Sequence, residues 1–246
     1  MQTLTGKTAI ITGASQGIGA SIAKALAAAG AGVVVNYTQN QSAAQQVISA
    51  IQSEGGEAIA CQADVSQAEE VKALFDTAIQ RFGSVHILVN NAAIMINQAL
   101  ADTSDETFDR TFAVNVRGVF NALRESAHRL ADNGRIINLS TTVTRLMLPN
   151  YGAYAASKGA VEQLTRVFAK EIGIRGITVN VVSPGPTHTE LFTRDKSEET
   201  IQRMAAMSAF GRIAEPEDIA RVVVFLASNE AAWITGQNIG ANGGFA

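Results

Sequence analysis

Seven short runs along the chain are apolar without polar alternation: 8–12 (TAIIT), 32–36 (GVVVN), 57–61 (EAIAC), 86–90 (HILVN), 135–139 (RIINL), 177–182 (ITVNVV) and 237–241 (QNIGA). Strands covered on both faces read this way, because neither side of the pleat meets water. Between them, segments 17–29, 41–53, 67–82, 103–130, 152–173 and 215–228 place apolar residues at three- and four-residue steps, as in Val71, Leu74, Phe75 and Ala78. That spacing predicts helices. Strand and helix in alternation predict an α/β fold with a doubly wound parallel sheet and helices on both faces.

Local punctuation agrees with this division. Ser66 followed by Glu69 has the pattern of a capping box, and Glu215-Pro216-Glu217-Asp218 places a proline and carboxylates in a first helical turn. With no repeat and no Pro/Ser-rich linker in 246 residues, the expectation is one domain over 1–246. One long interruption stands out at 184–212, mixing Pro, Thr and charges with Leu191, Phe192, Met204 and Met207. Long insertions of this kind in compact domains cover sites, so about 186–212 is expected to form a substrate lid.

Composition narrows the function classes. At 47% hydrophobic residues, 17% charged residues and a net charge of −3, the chain has no basic field for nucleic acid or an anionic membrane surface. Cys61 is the single cysteine; it has no partner for an internal disulfide, lacks zinc-site spacing and is expected to be buried packing. The opening MQTLTGKTAIITG is too short an apolar run for a signal-peptide core, and no stretch reaches the ~18 apolar residues of a membrane span. A soluble cytoplasmic protein with no metal requirement is expected.

The first strand–helix unit carries chemistry. TAIITGASQGIGASIAKAL runs strand, glycine turn, helix, with Gly13 turning the chain, Gly17 clearing space for a pyrophosphate and Gly19 allowing close helix–sheet contact. Free N–H groups of the helix start then face the phosphates. Ser15, Gln16 and Ile18 lie within the same turn. Dinucleotide binding is the reading, and the G-x-x-x-G-x-G spacing sharpens it.

TGASQGIG (12–19), NNAA (90–93), Asn115, YAASK (154–158) and SPGPTHT (183–189) occur in this order and span nearly the whole chain. Together they resemble the short-chain dehydrogenase/reductase family, most nearly its bacterial 3-oxoacyl-acyl-carrier-protein reductases and carbonyl reductases. The resemblance implies a Rossmann-type sheet of seven strands in the order 3-2-1-4-5-6-7, a nicotinamide cofactor, carbonyl–alcohol interconversion and a homotetramer. The apolar tail GQNIGANGGFA is the kind that packs in such an assembly. One departure is Ala93, where the family usually has glycine; the added methyl restricts the backbone at a strand end.

Tyr154 and Lys158 stand four apart on a helical pattern, hence on one face. A neighbouring ammonium and a positive nicotinamide ring favour phenolate, so Tyr154 can serve as general acid/base. The resemblance gives Lys158 the ribose of the cofactor and Asn115 a relay water. Tyr151 is the competing phenol but lacks a lysine four residues on; it is assigned to the substrate pocket. His86, His128 and His188 are left outside catalysis.

The family's carbonyl-binding serine stands thirteen residues before its tyrosine, which here is Thr141, with Ser140 one position earlier. Adjacent strand residues point to opposite faces, so only one of the two can serve the substrate. Thr141 is preferred and Ser140 is the reserve.

After the second strand the chain reads Asn36, Tyr37, Thr38 with no carboxylate, where NAD enzymes place an acid on the ribose. NADP(H) is therefore favoured over NAD(H), although Gln16 stands where the family commonly has a cation. By resemblance, Asp64 and Val65 contact adenine and Thr189 the carboxamide, and Asn91, Ala92, Ala93, Pro184, Gly185 and Thr187 border the cofactor. Met95, Leu146, Met147, Tyr151, Leu191, Phe192, Met204 and Met207, with Ile94, are candidate substrate-pocket residues. The expected reaction is NADP(H)-dependent ketone–alcohol interconversion. The rivals are an NAD-dependent alcohol dehydrogenase of the same family, a nucleotide-sugar epimerase or dehydratase, and a silent dinucleotide sensor.

Overall fold

The structure is a computed structural model that describes residues 3–194 and 196–246. Its strands are β1 (Thr8–Ile11), β2 (Gly32–Tyr37), β3 (Ala58–Gln62), β4 (Val85–Asn90), β5 (Leu130–Leu139), β6 (Thr178–Pro184) and β7 (Asn238–Ala241). They form one seven-stranded sheet in the order β3-β2-β1-β4-β5-β6-β7, and every adjacent pair is parallel. The reversal of strand order between β1 and β4 opens the crevice in which doubly wound sheets bind ligands.

Alternate residues of the apolar runs feed two separate cores. Ile10, Val34, Leu88 and Ile136 face one layer, while Ile11, Val35, Val89 and Ile137 face the other, as a period of two requires. The first layer includes α3 (Ala68–Phe82), α5 (Gly118–Arg129) and α7 (Gly152–Ile172). The second contains α1 (Gly17–Ala28), α2 (Gln41–Ser53) and α10 (Pro216–Ala227). Apolar burial on both faces, at roughly 1.5–3 kcal/mol for each enclosed Val, Leu or Ile, is why these strands show no polar face.

Four local readings change. The segment 103–130 is not one helix: α4 (Asp105–Phe112) and α5 flank a π-helical turn at Ala113–Arg117. The β5 ladder is regular only from Arg135; opposite Val85 and Ile87 the register jumps from Leu130 to Arg135. Ser66 does not cap α3. The Asp64 carboxylate accepts the Ser66 N–H at 2.9 Å, and that turn delays the helix to Ala68 with Gln67 at the cap position. The stretch 184–212 holds two helices, α8 (Glu190–Thr193) and α9 (Glu198–Met207), capped by Thr189 and Ser197 hydroxyls; α6 (Val143–Leu146) lies between β5 and α7. At the start of α10 the Glu215 N–H does donate to Asp218, at 2.9 Å. Among the described residues no helix is long and apolar enough to cross a membrane. Cys61 is half-buried on β3, and burial raises its thiol pKa.

Candidate active site

The turn after β1 is shaped by what cannot fit there. Gly13 has φ +61°, and a Cβ on it would stand 2.8 Å from the Ala92 Cα; one on Gly19 would meet the Asn91 amide nitrogen and the Gly13 carbonyl, both at 2.5 Å. Two side chains absent from the glycine pattern hold the turn against the sheet. The Thr12 hydroxyl accepts the N–H groups of Asn91 and Ala92, each at 3.0 Å. The Asn91 amide in turn donates to the carbonyls of Thr12 and Gly13.

Asn36 works beneath this turn and does not reach ligand space. It is 1% exposed, accepts the Gly13 N–H at 3.1 Å and donates to the carbonyls of Ala63 at 3.0 Å and Cys61 at 3.2 Å. A strand-end asparagine that could have met a ribose instead ties the glycine turn to β2 and β3. Ala93 has no positive φ, so its methyl group costs no backbone strain there.

Above the turn lies a cleft of about 450 Å³ whose walls include Gly13, Ser15, Gln16, Gly17, Ile18, Gly19, Tyr37, Thr38, Asp64, Val65, Asn91, Ala92, Ala93 and Thr189. These fourteen of the predicted cofactor residues meet in one cleft. Gln39, Asn40, Arg110, Val114 and Glu190 also border it. Arg110 escaped the sequence reading because the break in 103–130 that sets α4 beside the cleft was not foreseen. The stretch Thr38-Gln39-Asn40 of the lining carries no acid, and glycine at 13 and 19 lets the turn pack against Ala92 and Asn91, where a Cβ would collide. The chain's own surface thus fits a dinucleotide. Ile94 lines this cleft, not the apolar cavity beside it.

Asn115 sits in the π-helical turn and is 0% exposed. Its amide accepts the Ile94 N–H and donates to the Ile94 carbonyl, each at 2.9 Å, and also donates to the Ser157 hydroxyl at 3.0 Å. One extra residue in a helical turn is a recurrent device at sites, since it turns a side chain out of the regular ladder. Here it links the strand-end loop after β4 to α7. A second buried chain runs Asn90 to Asn138 at 2.8 Å and Asn138 to Thr165 at 2.8 Å, fixing β4, β5 and α7 relative to one another.

At the end of β5 the hydroxyl run divides. Ser140 donates to the Glu162 carboxylate on α7 at 2.7 Å, and Thr144 donates to the same oxygen at 2.9 Å. Thr142 donates to the Pro184 carbonyl at 2.8 Å. Thr141 alone of the four acts on the Tyr154 phenol, lowering its pKa, while its hydroxyl accepts the Val143 N–H at 3.3 Å. Glu162, one helical turn beyond Lys158, went unnoticed as a site-bracing residue because a glutamate on a helix reads as a solvated charge.

Tyr154 is 8% exposed and Lys158 2%. The expectation of a depressed phenol pKa is reversed in the chain by itself: burial pushes Tyr154 up to about 12, with the Thr141 hydrogen bond opposing and the nearby Tyr151 reinforcing. Burial likewise pulls Lys158 down to about 8. The Lys158 ammonium donates to the Leu139 carbonyl at 2.7 Å and stands 6.0 Å from the Tyr154 ring centroid. Desolvation outweighs the lysine charge here because both groups lose water and their charges do not touch.

Beside the cleft is an apolar cavity of about 130 Å³, walled by Met95, Leu146, Leu191, Phe192 and Met204 and reached by Tyr154, Thr141, Ser140 and Tyr151. Pro184, Gly185 and Thr187 border this cavity and not the dinucleotide cleft, while Thr189, Ile18 and Leu191 border both. Besides Ile94, two expected pocket residues fall outside it. Met147 is 81% exposed in a left-handed turn at φ 52° that throws its side chain outward. Met207, at the end of α9, is 51% exposed. Leu148, Val143 and Phe245 take part instead; Phe245 is 8% exposed, so the C-terminal tail returns to its own chain's cavity. Lys158, Asn115 and Asn36 line neither space and act from behind the walls. His188 is exposed and 3.5 Å from Glu215; His86 accepts the Thr8 N–H at 3.1 Å.

Comparison with known proteins agrees with this geometry. Residues 13–246 match the family described as Enoyl-(Acyl carrier protein) reductase. The chain is 46% identical over 256 residues to NADPH-dependent aldehyde reductase 2, chloroplastic, of Arabidopsis thaliana, covering 98% of this chain and 94% of that protein. It is 45% identical over 251 residues to a short-chain type dehydrogenase/reductase of Picea abies, with 98% and 93% covered. The crystal structure of the angucycline C-6 ketoreductase LanV with bound NADP superposes with a TM-score of 0.94 at 41% identity, over 99% of this chain and 96% of that one. On motif, fold and relatives together, the chain belongs to the short-chain dehydrogenase/reductase family.

Proposed function

We propose that this oxidoreductase uses NADPH to reduce a ketone or aldehyde to the alcohol, with Tyr154 as the proton donor. The observation that carries the reading is the meeting of the Thr141 hydroxyl and the Tyr154 phenol on the wall of an apolar cavity that shares Ile18, Thr189 and Leu191 with the dinucleotide cleft. When bound, NADPH supplies the hydride that reaches the carbonyl carbon. Thr141 and Tyr154 hold the carbonyl oxygen, and the Tyr154 proton passes to that oxygen as charge develops on it. Lys158 and Asn115 sit behind Tyr154, where an ammonium favours the phenolate left when the proton departs.

Cofactor choice is supported by two kinds of evidence. Thr38, Gln39 and Asn40 offer hydroxyl and amide groups with no carboxylate to repel a 2′-phosphate, and the similar proteins include an NADPH-dependent reductase and an NADP-bound ketoreductase. Residues 186–212 are taken as a cover over the apolar cavity, within a single domain. A homotetramer belongs to the same proposal. Exposed apolar side chains such as Phe120, Val167 and Trp233 favour association, and light scattering reads it out. A cytoplasmic location is the companion expectation.

The test is NADPH and NADH oxidation at 340 nm over a panel of ketones and aldehydes. Carbonyl-dependent loss of absorbance, with NADPH preferred by about tenfold or more as charge-assisted contacts to a phosphate predict, is the expected result. Preference for NADH favours the NAD-dependent alcohol dehydrogenase. Cofactor binding without turnover favours the sensor.

A further inference from the structure

The hydroxyls that line the apolar cavity are nearly all committed to the protein. Ser140 donates to Glu162 at 2.7 Å and Thr142 to the Pro184 carbonyl at 2.8 Å. Thr187 donates to the Gly185 carbonyl at 2.9 Å and Thr189 to the Thr187 carbonyl at 3.4 Å. The Thr141 hydroxyl accepts the Val143 N–H at 3.3 Å and stands near enough to the Tyr154 phenol to lower its pKa. Tyr151 differs from the serine and the threonines: it is 7% exposed, lines the cavity, and its hydroxyl makes no hydrogen bond to the described residues, which leaves it, like the reacting Tyr154 phenol, free for a substrate. No fully enclosed side-chain N or O among those residues lacks a partner, so the Tyr151 oxygen keeps open space beside it, and the cavity is the space that Tyr151 lines.

Its position is fixed. Tyr151 occupies the cap position of α7, where its carbonyl accepts the Ala155 N–H at 2.7 Å, so the helix that carries Tyr154 also sets Tyr151. The two rings stand 6.4 Å apart, tilted by 58°. A phenol enclosed by Met95, Leu146, Leu148 and Phe192 loses its water when an apolar substrate enters. An unpaired buried hydroxyl is costly, whereas one that finds an acceptor is not. The cavity is therefore built for a substrate with a second oxygen.

We propose that Tyr151 is a specificity-determining residue that donates a hydrogen bond to a second acceptor oxygen of the substrate, so that the site selects dioxygenated carbonyl compounds over simple ketones. The inference rests on the reductase reading above and deepens it. Since the two phenols stand on separate rings 6.4 Å apart, the second oxygen belongs several bonds from the reacting carbonyl, and γ- and δ-diketones are simple compounds of that kind. A hydroxyl aimed at a substrate oxygen discriminates against the analogue lacking it, because the donor is then left without a partner.

The test compares kcat/KM for hexane-2,5-dione with hexan-2-one, and for heptane-2,6-dione with heptan-2-one, using NADPH and halving the dione values for their two equivalent carbonyls. The wild-type protein is expected to prefer at least one dione by about tenfold. In Tyr151→Phe that ratio is expected to fall to near one, with the native circular-dichroism spectrum kept. Equal wild-type rates on both members of each pair, or an unchanged ratio in Tyr151→Phe, overturn the proposal while leaving the reductase reading intact. Failure to turn over any carbonyl compound overturns the reductase reading and this inference with it.

Discussion

Ser140 and Thr141 are neighbours at the end of β5, yet their hydroxyls go to opposite sides: Ser140 to the Glu162 carboxylate at 2.7 Å, and Thr141 to the Tyr154 phenol. Glu162 accepts Thr144 as well, at 2.9 Å, so one carboxylate holds both sides of the pair that brackets Thr141. Glu162, on α7, thus engages Ser140 and Thr144 and makes no hydrogen bond to Thr141 or Tyr154.

Separate alanine substitutions should distinguish the two. Thr141→Ala is expected to lower kcat about a hundredfold or more, the usual cost of removing one oxygen-binding donor. Ser140→Ala is expected to leave kcat within a few-fold and to lower stability by about 1 kcal/mol, since Glu162 keeps Thr144. Steady-state kinetics and urea unfolding read the two effects. A larger kcat loss from Ser140→Ala would reverse the assignment.

The strand pattern was readable because each strand is enclosed on both faces, and Ile10 and Ile11 go to different cores from adjacent positions. The glycine turn and the placement of Tyr154 and Lys158 on one helix were readable because turn geometry and a four-residue helical step leave fixed spacings. Asn36 was not, since a polar residue at a strand end looks the same whether its amide meets a ligand or its own backbone. Glu162 and Thr12 act only through contacts between distant segments, such as Thr12 with Asn91. Met147 was misplaced by hydrophobicity, which says nothing of the left-handed backbone that turns it outward. The π-helical turn at Asn115 depends on packing between α4, α5 and α7, which no local propensity encodes.

Asn36 gives a second expectation. Removing its amide leaves the Ala63 and Cys61 carbonyls and the Gly13 N–H short of a partner, so Asn36→Ala should cost about 2–3 kcal/mol and weaken NADPH binding through a loosened turn. Thr38→Ala, on the cleft wall, should weaken NADPH binding with little change in stability. Denaturation curves and fluorescence titration separate them. Equal stability of the two variants would show that Asn36 does not brace the turn.

Burial of Lys158 sets a pH dependence of stability in the chain without cofactor. Its folded pKa is down at about 8, below the ordinary value near 10.4, so between about pH 8 and 10 the unfolded chain holds a proton that the folded chain has released. Stability contributed by this group therefore rises with pH across that window. Above pH 10 the raised Tyr154 pKa acts in the opposite sense, because the unfolded phenol ionises first. Urea unfolding at pH 8 and pH 10 should show the wild type gaining on Lys158→Met. A constant difference between the two proteins would contradict a depressed lysine.

The most direct test of the account is the rate of NADPH oxidation by Tyr154→Phe with a ketone that the wild type reduces, measured beside its NADPH affinity. If the Tyr154 proton completes the reduction, the variant loses about 10²–10⁴ in kcat, the typical contribution of a general acid, and still binds NADPH. A variant that binds NADPH and keeps wild-type kcat would contradict it.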